Sequence, residues 1–292
     1  MESWIDEHFL TQLEKLKIIT QKGVKGPQRG EHKSWQRGEG LEFLDYRTYQ
    51  PGDDLRYVDW SVYGRLEKLC VKLFHAEETQ TVHILLDMSR SMQAGTPPKA
   101  LRAKQIAAAI SYICLSNLDK VTLTAFSAKL IDFKSPVRGK RTYPEVLAFL
   151  GDLQPDDTTD LNTCFAEYAA ICKHPGIILI LSDLFDPQGC HEGLKALTYR
   201  DFEIHLLQVL DHDELVWPHT GTLLLQDVET GEQKTTFVNS ALVKKYQERV
   251  TAFLAEMTAF CQRYGIHHYV YDTRMAFDAF LIEYLSRGAI LR

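Results

Sequence analysis

The sequence contains the segment Val82-His83-Ile84-Leu85-Leu86-Asp87-Met88-Ser89-Arg90-Ser91-Met92. Its first half is an apolar run with one polar interruption, which is too short to span a membrane and is typical of a buried strand. The run ends at Asp87, and two serines follow at a spacing of two. Residues two apart in an extended segment face the same way, so these side chains can direct their oxygens at one hard cation. Taken alone, the pattern also fits an ordinary turn or helix cap.

Two downstream segments favour a metal site. The segment Asp157-Thr158-Thr159-Asp160-Leu161 opens an apolar helical pattern, and residues 176–183 form a second buried-strand run that ends in a carboxylate. Parallel strands bring their carboxyl ends to one edge of a sheet, so three loops are expected to converge there.

The order Asp-x-Ser-x-Ser, followed by a Thr loop and a second strand ending in Asp, resembles the metal-ion-dependent adhesion site of the von Willebrand factor A fold. That resemblance implies a metal site with five oxygen donors: Asp87, Ser89, Ser91, Thr159 and Asp183. Such a set of donors suits Mg²⁺ or Mn²⁺. The resemblance also implies a protein-binding module. In such a module the ion keeps one coordination position open, and an acidic side chain of a partner protein fills it.

A wider resemblance covers most of the chain. The residues that carry it, in order, are Gly40-Leu41-Glu42-Phe43, Arg47, Tyr49, Pro51-Gly52-Asp53-Asp54, Arg56, Asp59-Trp60 and Val71-Lys72, followed by the Asp87 motif, Thr159, Asp183 and Asp227-Val228-Glu229-Thr230-Gly231. They are similar to the bacterial family known as domain of unknown function fifty-eight. Its members are often encoded beside MoxR-type AAA+ ATPases. The resemblance implies such an ATPase as the partner and a chaperone-like role in assembling or activating protein complexes.

Strands and helices alternate from residue 82 onward. Strands are predicted at 82–86, 120–126, 177–181, 202–210 and 266–271, with an edge strand at 130–133 and helices at 100–118, 143–153, 161–172, 194–199, 240–264 and 277–287. This alternation predicts an α/β fold with a mostly parallel sheet and helices on both faces, which is von Willebrand A-like by the resemblance above.

The remaining segments suggest a second β-unit. Residues 211–238 interrupt the alternation and predict an inserted β-hairpin, which we expect to pair with two strands at 41–50 and 68–74. The expected organisation is an N-terminal helix, basic loop and β-extension over residues 1–76, and the α/β domain over residues 77–292.

Charged residues cluster around the Pro51-Gly52 turn. We interpret them as a buried structural network in which Arg47 or Arg56 bridges Asp54 or Asp59, rather than as a catalytic set. The candidates for these ion pairs are Arg47, Asp53, Asp54, Arg56 and Asp59.

Composition narrows the function classes. The net charge of -6 argues against a general nucleic-acid binder. No apolar stretch is long enough for a membrane span, and the N-terminus lacks a signal-like core, so a cytoplasmic location is expected. The six cysteines are scattered, which favours reduced core residues over disulfides or a zinc site. Basic loops at 22–37 and 138–141 are alternative binding surfaces.

An enzyme is the alternative from a different class, namely a metal-dependent phosphoryl hydrolase with Asp87 as its nucleophile. Position 89 is Ser where an Asp would supply a general acid, and no Lys or His near the motif has an evident role. The sequence also lacks a Gly-x-Ser-x-Gly elbow and a His-Glu-x-x-His helix. His267 and His268 are adjacent on a strand, face opposite sides and are poor joint ligands. We expect a non-enzymatic binding module, with a scaffold whose metal site is vestigial as a third possibility.

Overall fold

A computed structural model describes residues 43–51, 53–74, 81–227 and 231–286. The predicted N-terminal helix, the basic loop at 22–37 and part of the Asp227–Gly231 segment lie outside the described residues. The described part of the chain forms two compact units, residues 43–74 and residues 81–286.

The smaller unit is a two-stranded antiparallel sheet with a short helix between its strands. Strand β1 (Phe43–Thr48) pairs with β2 (Cys70–Phe74), and helix α1 (Trp60–Leu66) begins after Asp59. The Asp59 carboxylate accepts hydrogen bonds from two backbone amides of the first turn of α1, which is the usual way an aspartate caps a helix.

The larger unit is built on a six-stranded sheet. Its strands are β3 (Thr81–Asp87), β4 (Lys120–Phe126), β5 (Leu130–Arg138), β6 (Ile177–Ser182), β7 (Glu203–Leu210) and β10 (His267–Asp272). The order across the sheet is β10-β7-β6-β3-β4-β5, and every neighbouring pair is parallel except β4 and β5. The predicted mostly parallel sheet is confirmed. Strand β5 extends further than predicted and includes Arg138, the first residue of the expected basic loop.

Helices cover both faces of the sheet. They are α2 (Lys99–Ser116), α3 (Tyr143–Asp152), α4 (Leu161–Ile171), α5 (His191–Thr198), α6 (His212–Leu215), α7 (Ser240–Tyr264) and α8 (Phe277–Ser286). Successive side chains of β3 point to opposite faces of the sheet, so both faces are covered. Ile84 and Leu86 pack with α2, α3 and α8, whereas Leu85 packs with α4, α5 and α7. Among the described helices, none combines the length and the apolarity needed to cross a membrane.

The inserted hairpin has the predicted strands but not the predicted pairing. Strands β8 (Gly221–Gln226) and β9 (Gln233–Val238) pair with each other in a two-stranded antiparallel sheet. Because β1 and β2 also form a separate two-stranded sheet in the described residues, the expected joint β-unit is wrong. A hairpin satisfies its inner hydrogen bonds locally, so the sequence pattern gave no information about a further partner strand.

The order of the strands determines where a ligand can bind. From β3 the chain first builds β4 and β5 on one side and then crosses back to build β6, β7 and β10 on the other. The carboxyl ends of β3 and β6 therefore flank the point where the winding reverses, which is where open α/β sheets form binding crevices.

Candidate metal centre

The turn after β3 holds Asp87 in a fixed orientation. Its side chain is fully buried. The Ser89 amide donates to Oδ1 at 2.9 Å, and the Ser182 hydroxyl donates to Oδ2 at 2.5 Å. The Met88 amide bonds to the Phe126 carbonyl at 2.7 Å, so the end of β4 supports the same turn. Three neighbouring strands thus position this carboxylate.

Two serine hydroxyls connect the β3 turn to Asp183. The Oγ atoms of Ser89 and Ser91 lie 3.2 Å apart, and Ser91 Oγ donates to Asp183 Oδ2 at 2.7 Å. Since Ser91 gives its proton to a carboxylate, its oxygen lone pairs remain available to a cation. Four of the five predicted donors therefore lie in one chain of hydrogen bonds. Ser91 is half-buried, whereas Asp87, Ser89 and Asp183 are fully buried.

Thr159 lies on a loop that docks against the same turn. The Asp156 amide donates to the Met88 carbonyl, and the Arg90 amide donates to the Asp157 carbonyl, each at 2.9 Å. Thr159 itself is buried. The structure thus brings all three predicted loops to one edge of the sheet.

Two residues next to the candidate ligands have a left-handed backbone. Asp157 has φ 69° and Leu184 has φ 62°. Leu184 is buried. A left-handed backbone at such a residue costs on the order of 1–3 kcal/mol and persists only where neighbouring contacts hold it. Here the Ser182 hydroxyl accepts the Leu184 amide at 2.9 Å, and the Gln208 side chain donates to the Asp183 carbonyl at 3.1 Å. These contacts hold the sharp turn that directs Asp183 toward Ser91.

A buried lysine that the sequence pattern did not indicate completes the site. Lys99 Nζ lies 2.7 Å from Asp183 Oδ2 and 2.5 Å from Glu214 Oε1, and its side chain is fully buried. The sequence shows no evident role for a Lys near the motif, and the structure gives Lys99 an ion-pairing one. The available signal was a lysine in the first turn of a helix that is rich in Ala and Ile. Glu214 had no such signal, because it lies on the short helix α6.

Burial and neighbouring charges shift the pKa values of Asp87 and Lys99 in this site. Burial and, to a smaller extent, the charge of Asp183 together raise the pKa of Asp87 to about 7, against the hydrogen bonds from Ser182 and Ser89, which lower it. Burial alone would lower the pKa of Lys99, but the carboxylates of Asp183 and Glu214 outweigh it and raise that pKa overall. Lys99 thus stays cationic, while Asp87 needs another positive charge to ionise fully at neutral pH.

The charged candidates in the smaller unit make separate contacts. Arg47 pairs with Asp53 at 2.8 Å, and Arg56 pairs with Asp54 at 2.7 Å on an exposed surface. Asp59 accepts a hydrogen bond from the Tyr46 hydroxyl at 2.8 Å in addition to capping α1.

Comparison with known proteins gives a family and distant relatives. Residues 45–255 match the model of a family described as protein of unknown function DUF58. The chain is 26% identical over 257 residues to the uncharacterized protein Mb1516 of Mycobacterium bovis, covering 86% of this chain and 81% of that protein, and the same values hold for Rv1480 of Mycobacterium tuberculosis. The crystal structure of the conserved hypothetical protein BatB from Bacteroides thetaiotaomicron aligns with a TM-score of 0.45 and 15% identity, over 72% of this chain and 98% of that one.

Proposed function

This chain belongs to the DUF58 family of proteins of unknown function, and we propose that its larger unit is a von Willebrand A-like module that binds a partner protein through Mg²⁺ or Mn²⁺. The proposed ligands are Asp87, Ser89, Ser91, Thr159 and Asp183, some of them acting through water. By the family resemblance, the proposed partner is a MoxR-type AAA+ ATPase, and the proposed role is chaperone-like assembly or activation of protein complexes.

The hydrogen-bonded chain Ser89–Ser91–Asp183 carries this proposal. An octahedral Mg²⁺ with oxygens at 2.0–2.1 Å has adjacent ligands about 3 Å apart. The 3.2 Å between the two serine oxygens is close to that spacing. The donors are all oxygens, which suits a hard cation.

Charge makes partner binding conditional on the ion. With all groups ionised, Asp87, Asp183 and Glu214 contribute three negative charges and Lys99 one positive charge, so the metal-free site repels an acidic side chain. A divalent ion cancels the remaining two negative charges. A carboxylate from a partner can then approach the half-buried Ser91 position and complete the ion's coordination shell.

Titration calorimetry with Mg²⁺ and Mn²⁺ tests the metal site. We expect the wild-type protein to bind one ion, and Asp87→Asn and Ser89→Ala to abolish binding while keeping the fold. Asparagine resembles the protonated form of Asp87 in shape, so it should be tolerated. Ser111→Ala is the matched control, since Ser111 is a fully buried serine on α2, away from the β3 turn. Equal Mg²⁺ affinity in Ser89→Ala and Ser111→Ala would refute the site.

Binding to the ATPase tests the partner. A MoxR-type ATPase from the same host should bind with Mg²⁺ present, dissociate on addition of chelator, and fail to bind Ser89→Ala. Binding that is equal with and without chelator would show that the ion does not mediate recognition.

The hydrolase alternative has a different readout. Both Asp87 oxygens accept hydrogen bonds and the side chain is fully buried, which favours a positioning role over nucleophilic attack. Phosphoester turnover that depends on Mg²⁺ or Mn²⁺ and disappears in Asp87→Asn would replace the binding proposal with an enzymatic one.

A further inference from the structure

A second cluster of ligating side chains lies at the opposite edge of the sheet, where β7 and β10 begin. His205 and His267 are register partners on these two parallel strands, and their rings stack with centroids 4.6 Å apart. Glu203 is two residues before His205 on the same face, and its Oε1 lies 3.2 Å from His205 Nε2. Three different side chains thus meet at the amino edge, far along the strands from Asp87.

The three residues differ in burial in a way that suits an ion site. The His205 side chain is 1% exposed and Glu203 is 31% exposed. His267 is exposed. The Tyr284 ring packs edge-on against His205 at 6.4 Å, which fixes the plane of the buried imidazole. One ligand is therefore held rigidly, while the other two give an ion and its bound water access from solvent.

The geometry points to a second metal site formed by Glu203, His205 and His267, and we propose that it binds a borderline-soft divalent ion, Zn²⁺ above all. One ligand atom from each residue lies within 4.8 Å of the others. Tetrahedral Zn²⁺ with ligands near 2.0–2.2 Å needs separations of roughly 3.3–3.5 Å. Closing that difference requires rotation of the exposed His267 side chain and of the partly exposed Glu203 side chain.

The donor set separates this site from the one at the carboxyl edge. Two imidazoles and one carboxylate favour Zn²⁺ over Mg²⁺, and they leave a fourth position for water. Along the chain His267 is next to His268, and this adjacency alone predicts no joint site. His268 indeed faces the other way, toward Thr258 and Gln208. The true neighbour of His267 comes from the adjacent parallel strand.

Such an ion would join β10, the edge strand, to β7. Zn²⁺ bound only by the folded protein would then raise the midpoint of thermal unfolding. The same ion would leave the Asp87 site unchanged.

Zn²⁺ titration of the metal-free full chain, with Mg²⁺ present in excess, tests the proposal. We expect one Zn²⁺ per chain and a rise in the unfolding midpoint. Removing a ligand in His267→Ala should weaken binding by more than the roughly 10- to 100-fold that outer-shell changes cause. Glu203→Gln should also weaken it. Both residues are partly or fully exposed, so these variants should fold even if a His205 variant does not.

Two controls make the outcome specific. His268→Gln, on the opposite face of the same strand, and Asp87→Asn, at the other edge of the sheet, should bind Zn²⁺ like the wild type. Visible absorption of bound Co²⁺ should show tetrahedral coordination in the wild type and lose it in His267→Ala. The proposal is overturned if the wild type binds no stoichiometric Zn²⁺, or if His267→Ala and His268→Gln bind it equally well.

Discussion

The two units of this chain contain ion pairs of the same length in very different surroundings. Lys99 and Asp183 in the larger unit are 2.7 Å apart with both side chains 0% exposed, whereas Arg56 and Asp54 in the smaller unit are 2.7 Å apart with 79% and 40% exposed. Water screens the second pair but not the first. Because a buried charge without its partner is strongly unfavourable, the distance alone says little about what a pair contributes.

The largest effect is expected for Lys99→Met. This change leaves the buried Asp183 and the partly buried Glu214 without their ammonium. Breaking a buried pair typically costs about 3–5 kcal/mol. Denaturant unfolding would measure the loss. The matched control is Lys195→Met on α5, where the lysine pairs with the exposed Glu192. That variant should unfold nearly like the wild type, and equal stabilities of the two variants would contradict our account of Lys99.

Adding Glu214→Gln to Lys99→Met sharpens the same comparison. If the stability loss comes from uncompensated charge, removing one carboxylate should restore part of it. If the loss comes only from packing around the lysine stem, the double variant should be no more stable than the single one.

The strands and the Asp87 turn could be predicted from the sequence because their signals are local. A buried strand appears as a continuous apolar run, and parallel strands place their ends at one edge. Lys99 and Glu214 could not be paired this way, since 115 residues separate them. The His205–His267 contact could not be predicted for the same reason. It depends on which strands are neighbours in the sheet, and the spacing of residues along the chain does not show the strand order.

The charged residues around Pro51-Gly52, which the sequence predicts as a buried network, differ in burial. Arg56–Asp54 is exposed, whereas the Asp53 side chain, which pairs with Arg47, is 4% exposed. Residue types show which charges are available for pairing, but burial depends on the packing of the whole unit.

Binding of Mg²⁺ should depend on pH. The proposed site needs ionised Asp87, whose pKa is raised to about 7 mainly by burial. Below that pH a proton competes with the ion, so affinity should fall about tenfold per pH unit and binding should release a proton. Calorimetry in buffers of different ionisation enthalpy measures both. The measurement should run from pH 5, about two units below that pKa, to pH 8, about one unit above it. An Mg²⁺ affinity that is constant over this range would contradict this role of Asp87.

The metal-free protein should show the linked effect on stability. The pKa of Asp87 is higher in the folded protein than its ordinary value of 3.8, so the folded state binds more protons between about pH 4 and pH 7. The contribution of Asp87 to the free energy of unfolding is therefore greatest below pH 4 and is lost as the pH rises toward 7. Asp87→Asn should remove this slope.

A smaller effect is expected for Asp59→Ala in the smaller unit. Asp59 is 7% exposed, and its carboxylate makes hydrogen bonds: it caps α1 and accepts a hydrogen bond from Tyr46. Losing a helix cap costs about 0.5–2 kcal/mol. That is less than the 3–5 kcal/mol expected for a broken buried ion pair. Faster amide hydrogen exchange over residues 60–66 would report it. Asp59→Asn should recover most of the protection, because asparagine caps helices about as well as aspartate.

The smallest effect is expected for Arg56→Ala, which tests the comparison at its exposed end. The Arg56 guanidinium makes two hydrogen bonds to Asp54 Oδ2, at 2.9 Å and 2.7 Å, and this contact lowers the pKa of Asp54. Good geometry alone would suggest a stabilising pair. Because both side chains are exposed, water and salt screen the attraction, and many such pairs contribute nothing measurable. Thermal unfolding at low and at high salt should give the same midpoint for Arg56→Ala and the wild type. A clear loss of stability in Arg56→Ala would mean that a partner or another part of the chain buries this pair in solution. The pair would then be part of the buried structural network that the sequence predicts for this segment.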